Sequence, residues 1–241
     1  MFENRDTYRR CHKKQGLTPF TITVKETNLN IQAERNLRDE AVRAALTFRN
    51  QIEAHIEHHP EFAVSLTPLP DPGPAPTIIT EMTAAAQIAG VGPMAAVAGA
   101  MAEFTGRQLL KLSKELVVEN GGDIFVQSQT DMVFTIYAGN SPLSMRTAIQ
   151  VKQQNSPFAM CTSSGTLGHS KSFGKADAAS VLADSCTLAD AAATALGNRV
   201  HRAKDIESAM AEGRAMKGVR GIIIILGKQI GPWGDLKLVR L

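Results

Sequence analysis

The sequence predicts a mixed α+β protein on three observations. Apolar side chains recur at helical spacing through residues 35–59, with charged residues between them, which is typical of an amphipathic helix. Short apolar segments separated by glycine-containing turns then succeed one another through residues 115–152, as expected for consecutive strands. Residues 221–227 are four isoleucines and a leucine between two glycines, a run so apolar that it predicts a buried strand.

Composition places the chain among soluble globular proteins and argues against a nucleic-acid partner. Its 241 residues can bury a sizeable core, and we expect one domain across residues 1–241. Apolar residues make up 44% and charged residues 20% of the chain, which is ordinary for a soluble protein. The net charge of +3 provides no strong basic field, and aromatic residues at 5% are too few for base-stacking surfaces.

The three cysteines indicate a reducing compartment. Cys11, Cys161 and Cys186 include no CxxC pair, so neither a disulfide framework nor a zinc site is expected. The first residues of the chain contain no apolar stretch typical of a signal peptide. We therefore predict three unbridged thiols and a cytoplasmic location.

The apolar stretch at residues 84–102 has the length of a membrane span, and Gln87 is its only polar residue. Most of the stretch is alanine and glycine, whose small side chains supply little transfer free energy. Gly92 and Pro93 interrupt its middle. We predict two close-packed helices that meet at Pro93 and do not span a membrane.

A β-hairpin is predicted at residues 18–34. Phe20, Ile22 and Val24 alternate with threonines, and a second alternating segment follows. The turn is expected at Thr27 and Asn28.

The helix predicted at residues 35–59 ends in three histidines. His55 and His59 lie four positions apart and could ligate a metal. The alternative is that they are solvated side chains near a helix C-terminus, where partial positive charge is favourable.

A proline-rich segment at residues 66–76 follows this helix. Every second residue from 68 to 76 is proline, so the segment is stiff and extended and cannot be a helix or a central strand. It fits either a linker between an N-terminal hairpin–helix unit and the core, or an arm on the surface. Two helices are expected after it, at residues 77–89 and 93–113.

Strands dominate the second half of the chain. The helices predicted there begin near Thr187 and at residue 205, the second running to residue 216. Strands are predicted at residues 115–119, 123–128, 131–138, 145–152, 157–162, 179–182 and 221–227.

Three polar clusters lie at the ends of apolar elements and carry the candidate chemistry. Glycine tolerates positive φ and has no Cβ, so the backbone can pass close to a ligand there. Taken alone, the first cluster is better explained as a simple hairpin turn. The clusters are Asn120, Gly121, Gly122 and Asp123; then Thr162, Ser163, Ser164 and Gly165, with His169 shortly after; and finally Asp190 with Thr194.

The third cluster fits a magnesium site. Asp190 and Thr194 are four residues apart, so on a helix they share one face. A carboxylate beside a hydroxyl suits Mg²⁺, which prefers oxygen ligands and commonly shares phosphate oxygens. The alternative is a helix start in which Thr187 is the N-cap and Asp190 completes a capping box.

Taken together and in this order, the clusters resemble the ApbE-like family of flavin transferases. That family has a Gly-Gly-Asp turn after a strand, a Thr-Ser-Gly turn later, and then an Asp-Ala-x-x-Thr-Ala helix. Here these segments are residues 121–123, 163–165 and 190–195. The stretch at 97–100 resembles the glycine-containing helix ahead of the Gly-Gly-Asp strand, and the resemblance covers about residues 90–200.

The resemblance implies a fold, two cofactors and a reaction. The fold is a T-fold-like α+β arrangement of largely antiparallel sheets with helices packed on one face. The cofactors are FAD and Mg²⁺, and the reaction transfers FMN from FAD to a threonine or serine of an acceptor protein. Asp190 and Thr194 would ligate Mg²⁺, residues 120–123 and 162–165 would contact the flavin nucleotide, and His169 is the candidate general base.

The family's His-x-Ile-x-Asp-Pro-x-Thr-Gly stretch has no counterpart here apart from His169. Two other functions therefore stand beside the transferase: a non-catalytic flavin- or nucleotide-binding protein of the same fold, and a protein that keeps the fold and works through homo-oligomerisation. His169 itself fits an exposed loop histidine as well as a general base.

Overall fold

The computed structural model describes residues 14–165 and 173–240. The strands are β1 (Thr18–Val24), β2 (Thr27–Ala33), β3 (Leu116–Asn120), β4 (Asp123–Gln127), β5 (Met132–Thr135), β6 (Thr147–Val151), β7 (Phe158–Ser163), β8 (Ala178–Ala183), β9 (Val219–Leu226), β10 (Gln229–Gly234) and β11 (Lys237–Arg240). The helices are α1 (Arg38–His58), α2 (Glu61–Val64), α3 (Thr77–Ala89), α4 (Val97–Leu109), α5 (Cys186–Arg199) and α6 (Asp205–Ala215), with a 3-10 turn at Pro93–Ala96 before α4.

Eight strands form one large sheet in the order β1-β2-β3-β4-β7-β8-β9-β10, and every neighbouring pair is antiparallel. A second sheet of three strands has the order β11-β6-β5 and is also antiparallel. The α+β class and the largely antiparallel pairing predicted from the sequence are thus confirmed.

Helices cover one face of the large sheet and the small sheet covers the other. In β9, Ile222 and Ile224 pack into the core shared with the helices, whereas Ile223 and Ile225 pack into the core shared with β5 and β6. Successive side chains of a strand point to opposite faces, so a strand covered on both sides needs apolar residues at every position. This requirement explains the uninterrupted isoleucine run.

The hairpin of β1 and β2 is confirmed, but the predicted turn position is wrong. The turn lies at Lys25 and Glu26, and Thr27 and Asn28 already belong to β2. With this turn, alternate residues of β1 and β2 enter the core together, because the pattern of buried side chains sets the register of a strand pair. Lys25 adopts a left-handed φ of 51° to close the turn.

β2 also pairs with β3, so the hairpin lies in the same sheet as the later strands. The proline-rich segment that precedes α3 runs along the surface, where the Gln87 side chain donates a 2.8 Å hydrogen bond to the Leu69 carbonyl. Leu69 and Ala75 of this segment pack against the helical core.

The two helices predicted after this segment are present, with the break at Pro93, but the second ends at Leu109 and not at residue 113. Within the described residues, no single helix is long and apolar enough to cross a membrane. The segments Thr77–Ala89 and Pro93–Leu109 have the length and apolar composition of a membrane span only when taken together, and a bend of 104° separates them.

The histidines at the end of α1 form a stacked pair. The rings of His55 and His59 lie 4.6 Å apart at 28°, and the His55 ring also packs edge-on against Phe62. Burial and the neighbouring His59 lower the pKa of His55. Over residues 14–165 and 173–240, no group of three or more His, Cys, Asp or Glu side chains is arranged to hold a metal.

The sequence did not predict β10 and β11. β10 is an edge strand that contains Pro232 between two glycines, and such residues mask a strand pattern. β11 completes the small sheet by pairing with β6.

Candidate functional site

The Gly121–Gly122 turn joins β3 to β4, as the sequence predicts. Gly121 has a φ of +67° and Gly122 a φ of +113°, values that favour glycine. No atom lies within 4 Å of the position that a Cβ on Gly121 would occupy, so the backbone faces open space there. That the turn lines a ligand cleft stays a prediction.

Hydrogen bonds from both sides hold this turn. The Asn120 side-chain amide donates to the Ala98 carbonyl at 3.0 Å, which ties the end of β3 to the first turn of α4. The backbone N–H of Gly122 donates to the Glu119 carboxylate at 3.1 Å. The turn therefore has a fixed position relative to α4.

Asp123 follows the turn and points into the protein interior, where it is 7% exposed. It pairs with Cys161 of β7 in the sheet register. Burial raises the pKa of Asp123 well above its ordinary value, and the charge of Asp190 raises it further. Hydrogen bonds from the Cys161 thiol and the Thr162 backbone offset only part of this effect on the Asp123 pKa.

Asp190 lies on α5, and its carboxylate is used between helices rather than at its own helix start. Its Oδ2 accepts a 2.8 Å hydrogen bond from the backbone N–H of Gly99 in α4. Burial raises the pKa of Asp190 to about 7, against the hydrogen bonds from Gly99 and Ala98 that lower this pKa. The carboxyls of Asp123 and Asp190 thus share one buried region.

The capping interpretation of Asp190 is wrong. The N-cap of α5 is Ser185, whose hydroxyl accepts from the Leu188 N–H at 3.3 Å. Thr187 lies inside the first turn and is buried. Both its N–H and its hydroxyl donate to Glu103 of α4 at 2.9 Å.

Sequence reasoning missed Glu103, which is 1% exposed. Besides Thr187, the Ser185 hydroxyl donates to its Oε2 at 2.9 Å, and Arg107 donates to its Oε1 at 2.6 Å. The available signal was a lone acidic residue within the small and apolar residues of α4.

α4 and α5 touch at their backbones. A Cβ on Gly99 would overlap the Cys186 carbonyl oxygen and lie 2.7 Å from the Cβ of Asp190. Only glycine fits this crossing, which brings the start of α4 against the first turn of α5.

The end of β7 adjoins the Gly121–Gly122 turn and the last turns of α5. The Thr162 carbonyl oxygen is 3.5 Å from the position of a Cβ on Gly122, and the Thr162 hydroxyl lies 2.8 Å from that of Ser180. The Ser163 hydroxyl is 3.6 Å from the corresponding position on Gly197 of α5.

The other predicted site residues lie on the segment after β7 and on α5. Gly165 donates its N–H to the Ala176 carbonyl at 2.8 Å, and Ser164 before it is partly exposed. Thr194 is partly exposed one turn after Asp190 on α5. His169 lies outside the described residues.

The family model described as AbpE bacteria matches residues 9–231, a range that contains all three clusters. The chain belongs to this ApbE-like family.

Relatives of similar length match most of the chain. An UPF0280 protein of Methanococcus aeolicus is 36% identical over 221 residues, which cover 89% of each chain. An UPF0280 protein of Archaeoglobus fulgidus is 40% identical over 223 residues, covering 90% of this chain and 92% of the relative.

Solved ApbE structures share the fold at low sequence identity. The apo flavinyl transferase ApbE of Pseudomonas stutzeri has a TM-score of 0.56 and 12% identity, covering 90% of this chain and 94% of that one. The ApbE protein of Thermotoga maritima has a TM-score of 0.54 and 13% identity, covering 89% and 96% of the two chains. These matches support an ApbE-like architecture.

The side chains of this ApbE-like protein fit a hard divalent cation. Asp123 and Asp190 place two buried carboxyls in one region, where burial raises the pKa of both and the charge of Asp190 further raises the pKa of Asp123. Mg²⁺ commonly uses one or two protein carboxylates and completes its shell with water and phosphate oxygens, so three acidic side chains are not required. The oxygen atoms of Thr162 and Thr194 are also of the chemical kind that ligates Mg²⁺.

Proposed function

We propose that this protein binds a flavin nucleotide together with Mg²⁺ and transfers FMN from FAD to a hydroxyl of an acceptor protein. The observation that carries the proposal is the buried Asp190 carboxyl, which adjoins Asp123 and is bound to the first turn of α4. Two carboxyls sharing a buried site are costly to ionise without a cation. Membership of the ApbE-like family supports flavin as the ligand.

In this proposal Asp190 and Thr194 hold Mg²⁺ from one face of α5. When bound, the cation neutralises charge on the pyrophosphate and on the phosphoryl group as it is transferred. Asp123 would favour cation binding once it ionises, because its carboxylate would add negative charge next to Asp190.

The glycine turns supply the ligand-facing backbone. The open face of Gly121 lets the backbone approach a nucleotide with no side chain between them. The hydroxyls of Ser163 and Ser164 would contact its phosphates. The Asn120 bond to Ala98 keeps the first turn and α4 at a constant separation, so these groups need little reorganisation on binding.

The reaction balances as a phosphoryl substitution. An acceptor serine or threonine oxygen forms a bond to the flavin-side phosphorus, the pyrophosphate P–O bond breaks, and AMP leaves with the bridging oxygen. The acceptor hydroxyl loses its proton, and His169 is the proposed base by family resemblance.

A second candidate function is flavin binding without transfer. It is favoured by the missing Asp-Pro-x-Thr-Gly residues that would follow His169 in the family's pattern. In that case the site holds FAD and Mg²⁺, but no AMP appears.

One experiment separates these functions. The protein is incubated with FAD, Mg²⁺ and a Ser/Thr-containing candidate acceptor, and AMP and acceptor-bound flavin are measured; FAD affinity is measured in parallel with Mg²⁺ and with chelator. AMP together with flavinylated acceptor supports transfer, and Mg²⁺-dependent binding without AMP supports the second function. FAD affinity that is absent or unaffected by Mg²⁺ contradicts both.

A further inference from the structure

Glu103 is a buried acid that connects the two helices of the candidate site. It belongs to α4, and three of its four hydrogen-bond donors lie at the start of α5. The fourth donor is Arg107, one turn further along α4. Its carboxylate is therefore fully engaged, with two donor atoms from Thr187 and one each from Ser185 and Arg107.

A second contact runs in the opposite direction between the same helices. Asp190 of α5 accepts from the backbone N–H of Gly99, which precedes Glu103 by one helical turn. Each helix thus supplies a carboxylate to the other. Because backbone contact at Gly99 leaves no space between the helices, these two bonds fix both the rotation and the axial position of α5.

Capping of α5 does not by itself explain why a buried carboxylate, Glu103, binds the start of that helix. Ser185 already caps α5 through the Leu188 N–H, so this helix start has its own acceptor. Burying an anion is costly, and Asp123 and Asp190 would add to this cost whenever they ionise. The charges of all three acids act on the same buried thiol, that of Cys186.

We infer that Glu103 is a positioning residue for cation binding: it holds the first turn of α5 so that Asp190 and Thr194 present their oxygens to Mg²⁺. This inference rests on the proposed function. Asp190 lies on the first turns of α5, so a change in the contact at Ser185 and Thr187 moves it directly. Glu103 itself does not ligate the cation, because its oxygens are occupied by the four donors.

The test compares Glu103→Gln with Glu81→Gln. Both glutamates pair with Arg107, Glu103 at 2.6 Å and Glu81 at 2.8 Å, but within the described residues Glu81 makes no hydrogen bond or ion pair to α5. The measured quantity is the Mg²⁺ concentration that gives half-maximal FAD binding, followed by flavin fluorescence. Circular dichroism melts of the metal-free proteins report folding separately.

Glu103→Gln should raise that Mg²⁺ concentration about tenfold, the effect typical of losing a residue that orients a metal ligand. Saturating Mg²⁺ should restore FAD binding, and Glu81→Gln should stay within about twofold of the parent. Thr187→Val, which removes one donor to Glu103 and keeps the shape, should shift the Mg²⁺ concentration in the same direction. If Glu103→Gln does not fold, the Thr187→Val variant provides the test of the inference.

The Mg²⁺ dependence of FAD binding by the parent protein tests the proposed function separately from this inference. If parent FAD binding does not depend on Mg²⁺, the proposed function and this inference both fail. If parent binding depends on Mg²⁺ and both variants match its half-maximal concentration, only the inference is overturned, and any loss of melting temperature then marks Glu103 as structural.

Discussion

The backbone N–H of Gly99 donates a 2.8 Å hydrogen bond to the carboxylate of Asp190, 91 residues later in the chain. The bond joins the first turn of α4 to the first turns of α5, at a crossing where only glycine fits. Asp190 also accepts a hydrogen bond from the backbone of Ala98. Each carboxylate oxygen can accept more than one bond, so these two bonds do not exhaust the lone pairs of Asp190.

Replacing Asp190 with Asn tests the cation site. The Asn side-chain oxygen can still accept from Gly99, and a buried carboxyl beside Asp123 is removed, so the metal-free variant should melt at or above the parent temperature. Stabilisation by FAD in the presence of Mg²⁺ should disappear. At ligand a hundredfold above Kd this loss is about 2.7 kcal/mol.

Thermal-shift titrations with Mg²⁺ and with chelator measure this. Asp235→Asn is the control, because Asp235 is exposed and lies on the β10–β11 connection. Equal FAD shifts for the Asp190 variant and the parent under both conditions would make Asp190 a structural residue.

Stability of the metal-free protein should fall as pH rises from 5 to 8. The folded pKa of Asp190 is raised from 3.8 to about 7, so the unfolded chain releases this proton first. The resulting stability is fully present below pH 3.8 and is lost as the pH approaches 7. Asp123, whose pKa is also raised, acts in the same direction.

Melting temperatures in chelator from pH 5 to 8 check this dependence. Titration of His55 has the opposite effect on stability, because a histidine whose pKa is lowered in the folded protein makes stability rise with pH. The difference between the parent and Asp190→Asn isolates the aspartate: the parent curve should fall more steeply. Parallel curves would show that Asp190 titrates normally.

The two exposed glycines Gly121 and Gly73 offer a matched comparison. They have φ values of +67° and +66°, and neither has an atom within 4 Å of its Cβ position. Alanine at either position should therefore cost about 1 kcal/mol of backbone strain. Only Gly121→Ala should also weaken FAD binding.

FAD titrations of both variants, with melting temperatures alongside, provide the measurement. Similar losses of melting temperature with unchanged FAD affinity in both proteins would place the Gly121 turn outside the ligand site.

The buried thiols should be chemically inert in the native protein. Cys161 and Cys186 are free, with sulfur atoms 3.4 Å apart, which confirms the predicted unbridged state for these two residues. Cys11 lies outside the described residues. Burial raises the pKa of Cys161 and raises that of Cys186 to about 12, so thiolate is scarce at pH 8.

Alkylation by iodoacetamide at pH 8, read by mass spectrometry, should spare Cys161 and Cys186 in the native protein and modify both after denaturation without reductant. Failure of both to react after denaturation would indicate a disulfide, and rapid reaction in the native protein would contradict their burial.

Local patterns in the sequence were enough to predict most elements and the Gly121–Gly122 turn. Alternating apolar residues predicted the positions of the strands. Paired glycines predicted the turn, because glycine permits a positive φ that other residues avoid. The same reasoning placed the N-cap of α5 at Thr187 instead of Ser185, because both hydroxyl residues fit a helix start.

What the sequence did not reveal depends on contacts between distant segments. Nothing near Glu103 in the chain indicates that its donors lie 82 and 84 residues later. β11 of the small sheet was missed because its partner β6 lies far from it in the sequence. Likewise, the inward direction of Asp123 depends on its pairing with β7 and on the position of α5.

The isoleucine run of β9 has a consequence for folding fidelity. Since both faces of the strand are apolar, sliding it by one residue would exchange one isoleucine for another, and polarity would not penalise the slip. Alignment must come from shape. Gly221 has no space for a Cβ beside Leu236, and the β8–β9 ladder shifts register between Leu182 and Ala183. These two features favour a single register of β9 in the sheet. Substitutions there would therefore produce chains with β9 out of register before they produce unfolded chains.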